Sequence, residues 1–272
     1  MYMLFKNLRI GYNVINLILL AVFIVTDFWL IFTADNSGLI SLLLILAVWI
    51  AIILNQIIFN RLASGKYNKI VSILNAECDP IKYLNVYFPL TQKNIGYKLR
   101  PVVLLNLTAG YLAAGDFEQA RKVLSGIDTN QCNASHRIFY HCHWASMFIG
   151  EGNFAEAEKA LNFVSQLVAS TKLKPAQLEM INNIRNLYAV RLNIEKGCFE
   201  GAEQIVTEIY NSDYALYYKV SAQYTLAQLY IKQNRTDKAV EAMKYVAENG
   251  NTLNIAQKAR DYLKTSYNNT EA

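Results

Sequence analysis

Two unbroken apolar stretches, residues 10–32 and 39–59, open the chain, and only six residues separate them. At 1.5 Å per residue each is long enough to cross a hydrocarbon core of about 30 Å, and so short a connection predicts an antiparallel hairpin of two transmembrane helices. A cleaved signal peptide would carry a shorter apolar region of roughly 7–15 residues and end in small residues. Neither condition holds. A hairpin turning between Asp35 and Asn36 sets residues whose numbers sum to 71 opposite one another, so Asn16 is expected to face Asn55. Facing amides stabilise helix pairs in lipid by roughly 0.6–2 kcal/mol. Asp27, beside Trp29 and six residues from the outer end of the first stretch, is an intramembrane acid and therefore a candidate functional group.

Beyond Arg100 the polar and apolar positions repeat. The segments 107–124, 144–161, 189–206 and 226–243 align on a turn residue, Gly115, Gly152, Gly197 and Asn234, at spacings of 37, 45 and 37 residues. Gly and Asn tolerate the left-handed conformation that ends a helix. A small residue recurs early in each following helix, at Ala120, Ala157, Ala202 and Ala239, where two helices must approach closely. A large residue precedes three of the turns, Tyr111, Phe148 and Tyr230, with Asn193 in the third unit. Phe117, Phe154 and Phe199 follow the turns, with Thr236 in the fourth. Asp116 and Asn153 stand where a helix is capped, with Gln119 and Glu156 three residues on in the manner of a capping box. Pro175 predicts the start of a long helix over 176–196, and Pro101 the start of the first unit. Residues 254–267 have apolar positions Ile255, Ala259, Tyr262 and Leu263 at helical spacing and predict a capping helix over the last apolar face.

These units resemble the tetratricopeptide repeat family of helix-turn-helix hairpins. The resemblance implies an all-α chain: the transmembrane hairpin (1–59), a basic membrane-proximal segment (60–100), and a solenoid of about four helical hairpins with its capping helix (101–272). Gly65, Lys66 and Tyr67, followed by Ile70, Ile73 and Leu74, resemble the turn and second helix of one further unit, which would carry the membrane helix rigidly into the solenoid. The stretch 75–100, with Pro80 and Pro89, reads as a short helix with irregular connections.

Charge then orients the hairpin. Lys6 and Arg9 precede the first span, the connecting loop has no Lys or Arg, and Arg61, Lys66 and Lys69 follow the second, so both ends are expected on the cytoplasmic side. The formal net charge is +5, and the whole surplus falls between residues 60 and 100. Arg61, Lys66, Lys69 and Lys82 in this collar, together with Lys93, Lys98 and Arg100, either contact anionic headgroups at about 1 kcal/mol each or simply enforce topology. Nucleic acid is not expected as a partner, since no nucleic-acid motif is present and 101–272 is neutral. Cys78, Cys132, Cys142 and Cys198 show no paired spacing and read as reduced thiols of a cytosolic compartment.

Catalytic chemistry has no evident place. There is no phosphate-binding glycine loop and no H-E-x-x-H. All three histidines, His136, His141 and His143, fall within 135–144 beside Cys142 and near Cys132. Such ligands suit zinc or a haem iron, although helical register makes them diverge. The four N-x-[ST] matches, at Asn106, Asn133, Asn234 and Asn268, carry no meaning in a cytosolic region.

What remains is a surface for binding. The resemblance implies a concave groove lined by the first helix of each unit, where a protein or peptide partner lies. Transferred onto this chain, the groove positions are Phe139, Cys142, Ser146 and Ile149; Ile184, Leu187, Arg191 and Glu195; and Ser221, Tyr224, Gln228 and Lys232. Val102, Leu105, Ala109 and Leu112 of the first unit are apolar throughout. The expected function is that of a membrane-tethered, non-catalytic adaptor without cofactor or metal, which holds protein partners at the cytoplasmic face. The alternatives are a subunit of an envelope-assembly or transport complex acting through its hairpin and Asp27, and a metal- or haem-linked accessory factor.

Overall fold

The computed structural model describes residues 4–33, 37–92 and 99–268, among which the regular elements are helices and no strand occurs. The predicted turn at Asp35 and Asn36, and the collar residues Lys93 and Lys98, lie outside the described residues. The chain divides into two units, Met1–Lys69 and Ile70–Ala272.

In the first unit α1 (Lys6–Thr33) has 28 residues, and α2 (Ser37–Asn75) has 39. Both contain a segment long and apolar enough to cross a membrane, and their apolar side chains are largely exposed, as lipid-facing groups are. The amide of Asn55 donates to the Asn16 side-chain oxygen at 2.8 Å and reaches the Tyr12 carbonyl at 3.5 Å. Asn55 is only 7% exposed, so this polar pair sits between the helices rather than on their outer surface. Near the chain start Gly11 gives way to the Phe59 ring, which would lie 3.1 Å from a Cβ there. Both contacts fit the antiparallel register expected from the short connection. The turn expected at Gly65 is absent: α2 runs through it to Asn75. A single glycine costs a helix interior only about 1 kcal/mol, which neighbouring turns offset where no proline or cap interrupts them.

The second unit takes in the end of α2 from Ile70 and passes, through a reversal at Cys78 (φ +52°), into α3 (Pro80–Thr91), whose first turn is capped by Asp79 accepting from the Lys82 amide at 3.0 Å. Then come α4 (Arg100–Ala114) and α5 (Phe117–Ser125), a short 3-10 turn (Thr129–Gln131), α6 (Ala134–Gly150) and α7 (Phe154–Ser170), α8 (Pro175–Glu195) and α9 (Ala202–Asn211), α10 (Leu216–Lys232) and α11 (Thr236–Asn249), and finally α12 (Asn254–Asn268). Each predicted turn residue is left-handed: Gly115, Gly152 and Gly197 at φ +79°, +75° and +79°, and Asn234 at +56°. In every case the next amide donates back to the carbonyl five residues earlier, on Tyr111, Phe148, Asn193 and Tyr230, which satisfies the helix end.

The alanine after each turn is sealed between helices, with Ala120, Ala157 and Ala239 at 0% exposure and Ala202 at 2%. Asp116 and Asn153 cap α5 and α7 through Gln119 N and Glu156 N, but the Glu156 carboxylate turns outward to Lys159 at 2.6 Å. The third unit departs from the pattern. Cys198 offers no strong acceptor at the cap, and α9 starts only at Ala202, behind a second left-handed glycine, Gly201. Asn193, where the other units carry a large side chain, is exposed. Across successive pairs, Phe117 of α5 presses on Gly150 of α6 so closely that a Cβ there would meet its ring at 2.4 Å. The Glu203 carboxylate of α9 takes Arg235 at 2.6 Å and the Tyr230 hydroxyl at 2.8 Å, which holds it at a pKa of about 2.

The last helix does more than cover α11. Its buried face is Leu253, Ala256 and Ala259, and it also meets α10 and α4. The Asn254 side chain lies over Gly115, where a Cβ would come within 2.4 Å. Just before it, Asn251 donates to the Glu77 carbonyl at 3.0 Å and the Thr252 hydroxyl lies 2.7 Å from an Asp79 carboxylate oxygen. The final segment of the chain thus returns to the first helices of this unit.

Gly115→Ala and Gly152→Ala separate backbone strain from packing. Gly152 has open space around it, so its substitution loses about 1–2 kcal/mol from the left-handed conformation alone. Gly115→Ala adds a clash with Asn254 and loses about 1–3 kcal/mol more, read by urea unfolding followed through helical circular dichroism.

Candidate binding cavity

Helices α4, α6, α8 and α10 turn their inner faces toward one another, and α12 stands across the space they leave. The result is a cavity of about 230 Å³. Its wall is apolar at Leu112, Phe117, Ile149 and Ile194 and polar at Ser146, Arg191, Tyr224 and Gln228, and Glu195 and Lys258 in the lining are both exposed.

Arg191 dominates the electrostatics. Its Nε donates to the Thr225 hydroxyl at 2.8 Å and its Nη2 to the Ser221 carbonyl at 3.1 Å, so α10 fixes the guanidinium through neutral oxygens. Among the described residues no carboxylate forms an ion pair with it. Glu195, one turn along α8, is engaged by Lys232 at 3.1 Å. The surrounding hydroxyls are kept protonated: burial pushes the phenols of Tyr188, Tyr217 and Tyr224 upward in pKa, with Arg191 only partly opposing this, and Ser146 hydrogen-bonds Tyr188.

Of the residues expected in the groove, Ser146, Arg191, Glu195, Tyr224 and Gln228 meet in this cavity, along with Ile149, Ser221 and Leu112. Lys232 joins only through its ion pair with Glu195. Cys142, Ile184 and Leu187 are 2%, 9% and 4% exposed, within the hydrophobic core, and Phe139 packs against the same core. Neighbouring helices on both sides cover these positions, which an open groove would have left free. Tyr217, Asn254 and Lys258 join the cavity without any local pattern to announce them. Two of the three sit on α12, whose contact with α4 joins residues well over a hundred positions apart.

The basic residues Arg61, Lys66 and Lys69 are exposed on α2, Lys66 lying 6.0 Å from the Phe5 ring, and Lys82 on α3 is exposed and paired with Glu77 at 2.6 Å. In α1 one oxygen of the Asp27 carboxyl is buried with no hydrogen-bond partner among the described residues.

The histidines have separate environments. His141 stacks on Phe163 at 5.3 Å, and a ring N–H of the half-buried His143 bonds the Leu105 backbone. Burial lowers the pKa of all three, that of His143 to about 4. Cys142 is pushed up to about 12, while Cys132 packs with Leu105 and Leu124. Among the described residues no three His, Cys, Asp or Glu side chains gather as metal ligands do.

Compared with known proteins, the chain matches no protein-family model, no curated protein and no solved structure.

His143 gives the fold an acid sensitivity. Held neutral at a pKa of about 4 against 6.5 for the free ring, it favours the unfolded state once that state takes up a proton. Stability is full well above pH 6.5 and falls by about 3 kcal/mol as the pH drops to 4. His143→Gln flattens this part of the pH profile in urea titrations; an unchanged slope assigns the loss to other groups.

Proposed function

We propose that the protein is a membrane-anchored, non-catalytic scaffold of the tetratricopeptide type. Its hairpin lies in the bilayer, and its helix pairs, on the cytoplasmic side, hold a protein partner. The observation that carries this reading is the recurrence of one helix-pair device four times, left-handed turn, sealed alanine and satisfied helix end, behind two helices long enough to span a membrane. Such surfaces bind by complementarity and need no reacting group. The partner meets the rim of the cavity, where Glu195, Lys232 and Lys258 present exposed charges of both signs. The absence of Lys and Arg between the spans supports the orientation.

A second reading takes support from Asp27. A carboxyl oxygen buried without a partner in an apolar helix costs several kcal/mol unless another group satisfies it. A polar group of a second membrane protein would do so, and the chain would then act as a subunit of an envelope-assembly or transport complex.

Photocrosslinkers at Glu195, Lys232 and Lys258 in intact membranes should capture a defined protein, while the same probe beside Asp27 captures none. Capture at the hairpin alone transfers the function to the second reading. Protease added outside sealed cells should leave residues 60–272 intact; their digestion from outside overturns the cytoplasmic orientation.

A further inference from the structure

We propose that the cavity between α4, α6, α8, α10 and α12 is a binding site for a small organic monocarboxylate with a short apolar body, anchored by Arg191. This goes beyond the scaffold reading and stands independently of it, since the ligand lies inside the cavity and the protein partner at its rim.

Charge supports an anion. Arg191 stands in a partly enclosed wall, its charge opposed by no ion pair, because the nearby Glu195 is already engaged by Lys232. A cation among low-dielectric walls draws anions into the space it faces, and Lys258 in the lining adds a second positive group. Geometry supports a carboxylate. Two bonds to α10 fix the orientation of the guanidinium and leave further N–H donors of its five, a planar fork that matches two carboxylate oxygens. The apolar part of the wall, against which inorganic phosphate has no apolar group to place, disfavours phosphate.

Size and surface complete the class. At about 230 Å³ the cavity is smaller than the roughly 300–1,000 Å³ of sites for drug-sized ligands, so it takes a compact molecule and not a peptide segment. Leu112, Phe117, Ile149 and Ile194 offer contact to an apolar body, while Gln228 and the protonated Tyr224 offer hydrogen bonds beside Arg191.

The test uses the purified full chain in nanodiscs, with thermal unfolding and calorimetric titration against acetate, butyrate, hexanoate and phenylacetate, their neutral amides, and inorganic phosphate. At least one carboxylate with an apolar body should bind saturably and raise the unfolding temperature, at least tenfold more tightly than its amide and than phosphate. Arg191→Gln should remove that preference. Because this variant also loses bonds to α10, Ile149→Trp serves as a second one: it fills the cavity from the apolar side with Arg191 intact, and should abolish binding while helicity is kept. The proposal is overturned if no carboxylate of the panel binds, if amide or phosphate binds as well as the acid, or if folded Ile149→Trp binds undiminished. Crosslinking of a protein at the rim is scored separately, so either result leaves the other standing.

Discussion

The left-handed residue at the end of the first helix of each pair is the constraint on which the second unit depends. At Gly115, Gly152, Gly197 and Asn234 the backbone turns through a conformation that leaves no room for most side chains, and the next amide returns to a carbonyl five residues back. In the first, second and fourth pairs the chain reverses within two or three residues, and the second helix falls directly against the first. That close approach is what makes Ala120, Ala157, Ala202 and Ala239 necessary, since a longer side chain would force the pair apart. The third pair shows the cost of departing from the rule. Without a cap at Cys198 the chain needs a second left-handed glycine at Gly201 before α9 can begin.

Closure of the succession changes what its inner face can do. Were α12 only a lid on the end of α11, the inner helices would border an open channel. Because Asn254 packs on Gly115, and Asn251 and Thr252 bond to Glu77 and Asp79, the same helices border a small space with Arg191 on its wall. Enclosure also changes the meaning of each polar group there. A guanidinium on an open surface is satisfied by water, whereas one in a partly closed cavity, bonded only to neutral oxygens, keeps a charge that favours an anion. The exposed ion pair between Glu195 and Lys232 contributes little to stability, and its effect is to remove the carboxylate as a competitor for Arg191.

The hairpin shows polar groups in an apolar helix meeting two opposite outcomes. Asn16 and Asn55 satisfy each other and in doing so specify the register of α1 against α2. Among the described residues Asp27 has no such counterpart for one of its oxygens. The histidine-rich helix α6 makes a related point. Three histidines and a cysteine within one short stretch invite a metal reading, yet the rings point to separate neighbours, His141 to Phe163 and His143 to Leu105. On a helix, residues close in sequence face different directions, and only spacings of three or four bring side chains together.

The residues by themselves determined what depends on local spacing. The two apolar helices, the 71-sum register that pairs Asn16 with Asn55, the four turns, the sealed alanines, the start of α8 at Pro175 and the existence of α12 could all be read from periodicity, capping and chain reversal, which act over a few residues. Gly65 misled because a glycine is permitted at a turn without requiring one. Tertiary structure alone decided which inner-face positions are open. Ser146, Arg191, Glu195, Tyr224 and Gln228 border the cavity while Cys142, Ile184 and Leu187, on the same helices, are covered by neighbouring helices. It also decided that α12 meets α4 and brings Asn254 and Lys258 to the cavity. Those outcomes depend on contacts between helices far apart along the chain, such as α4 with α12, which no single stretch of residues encodes.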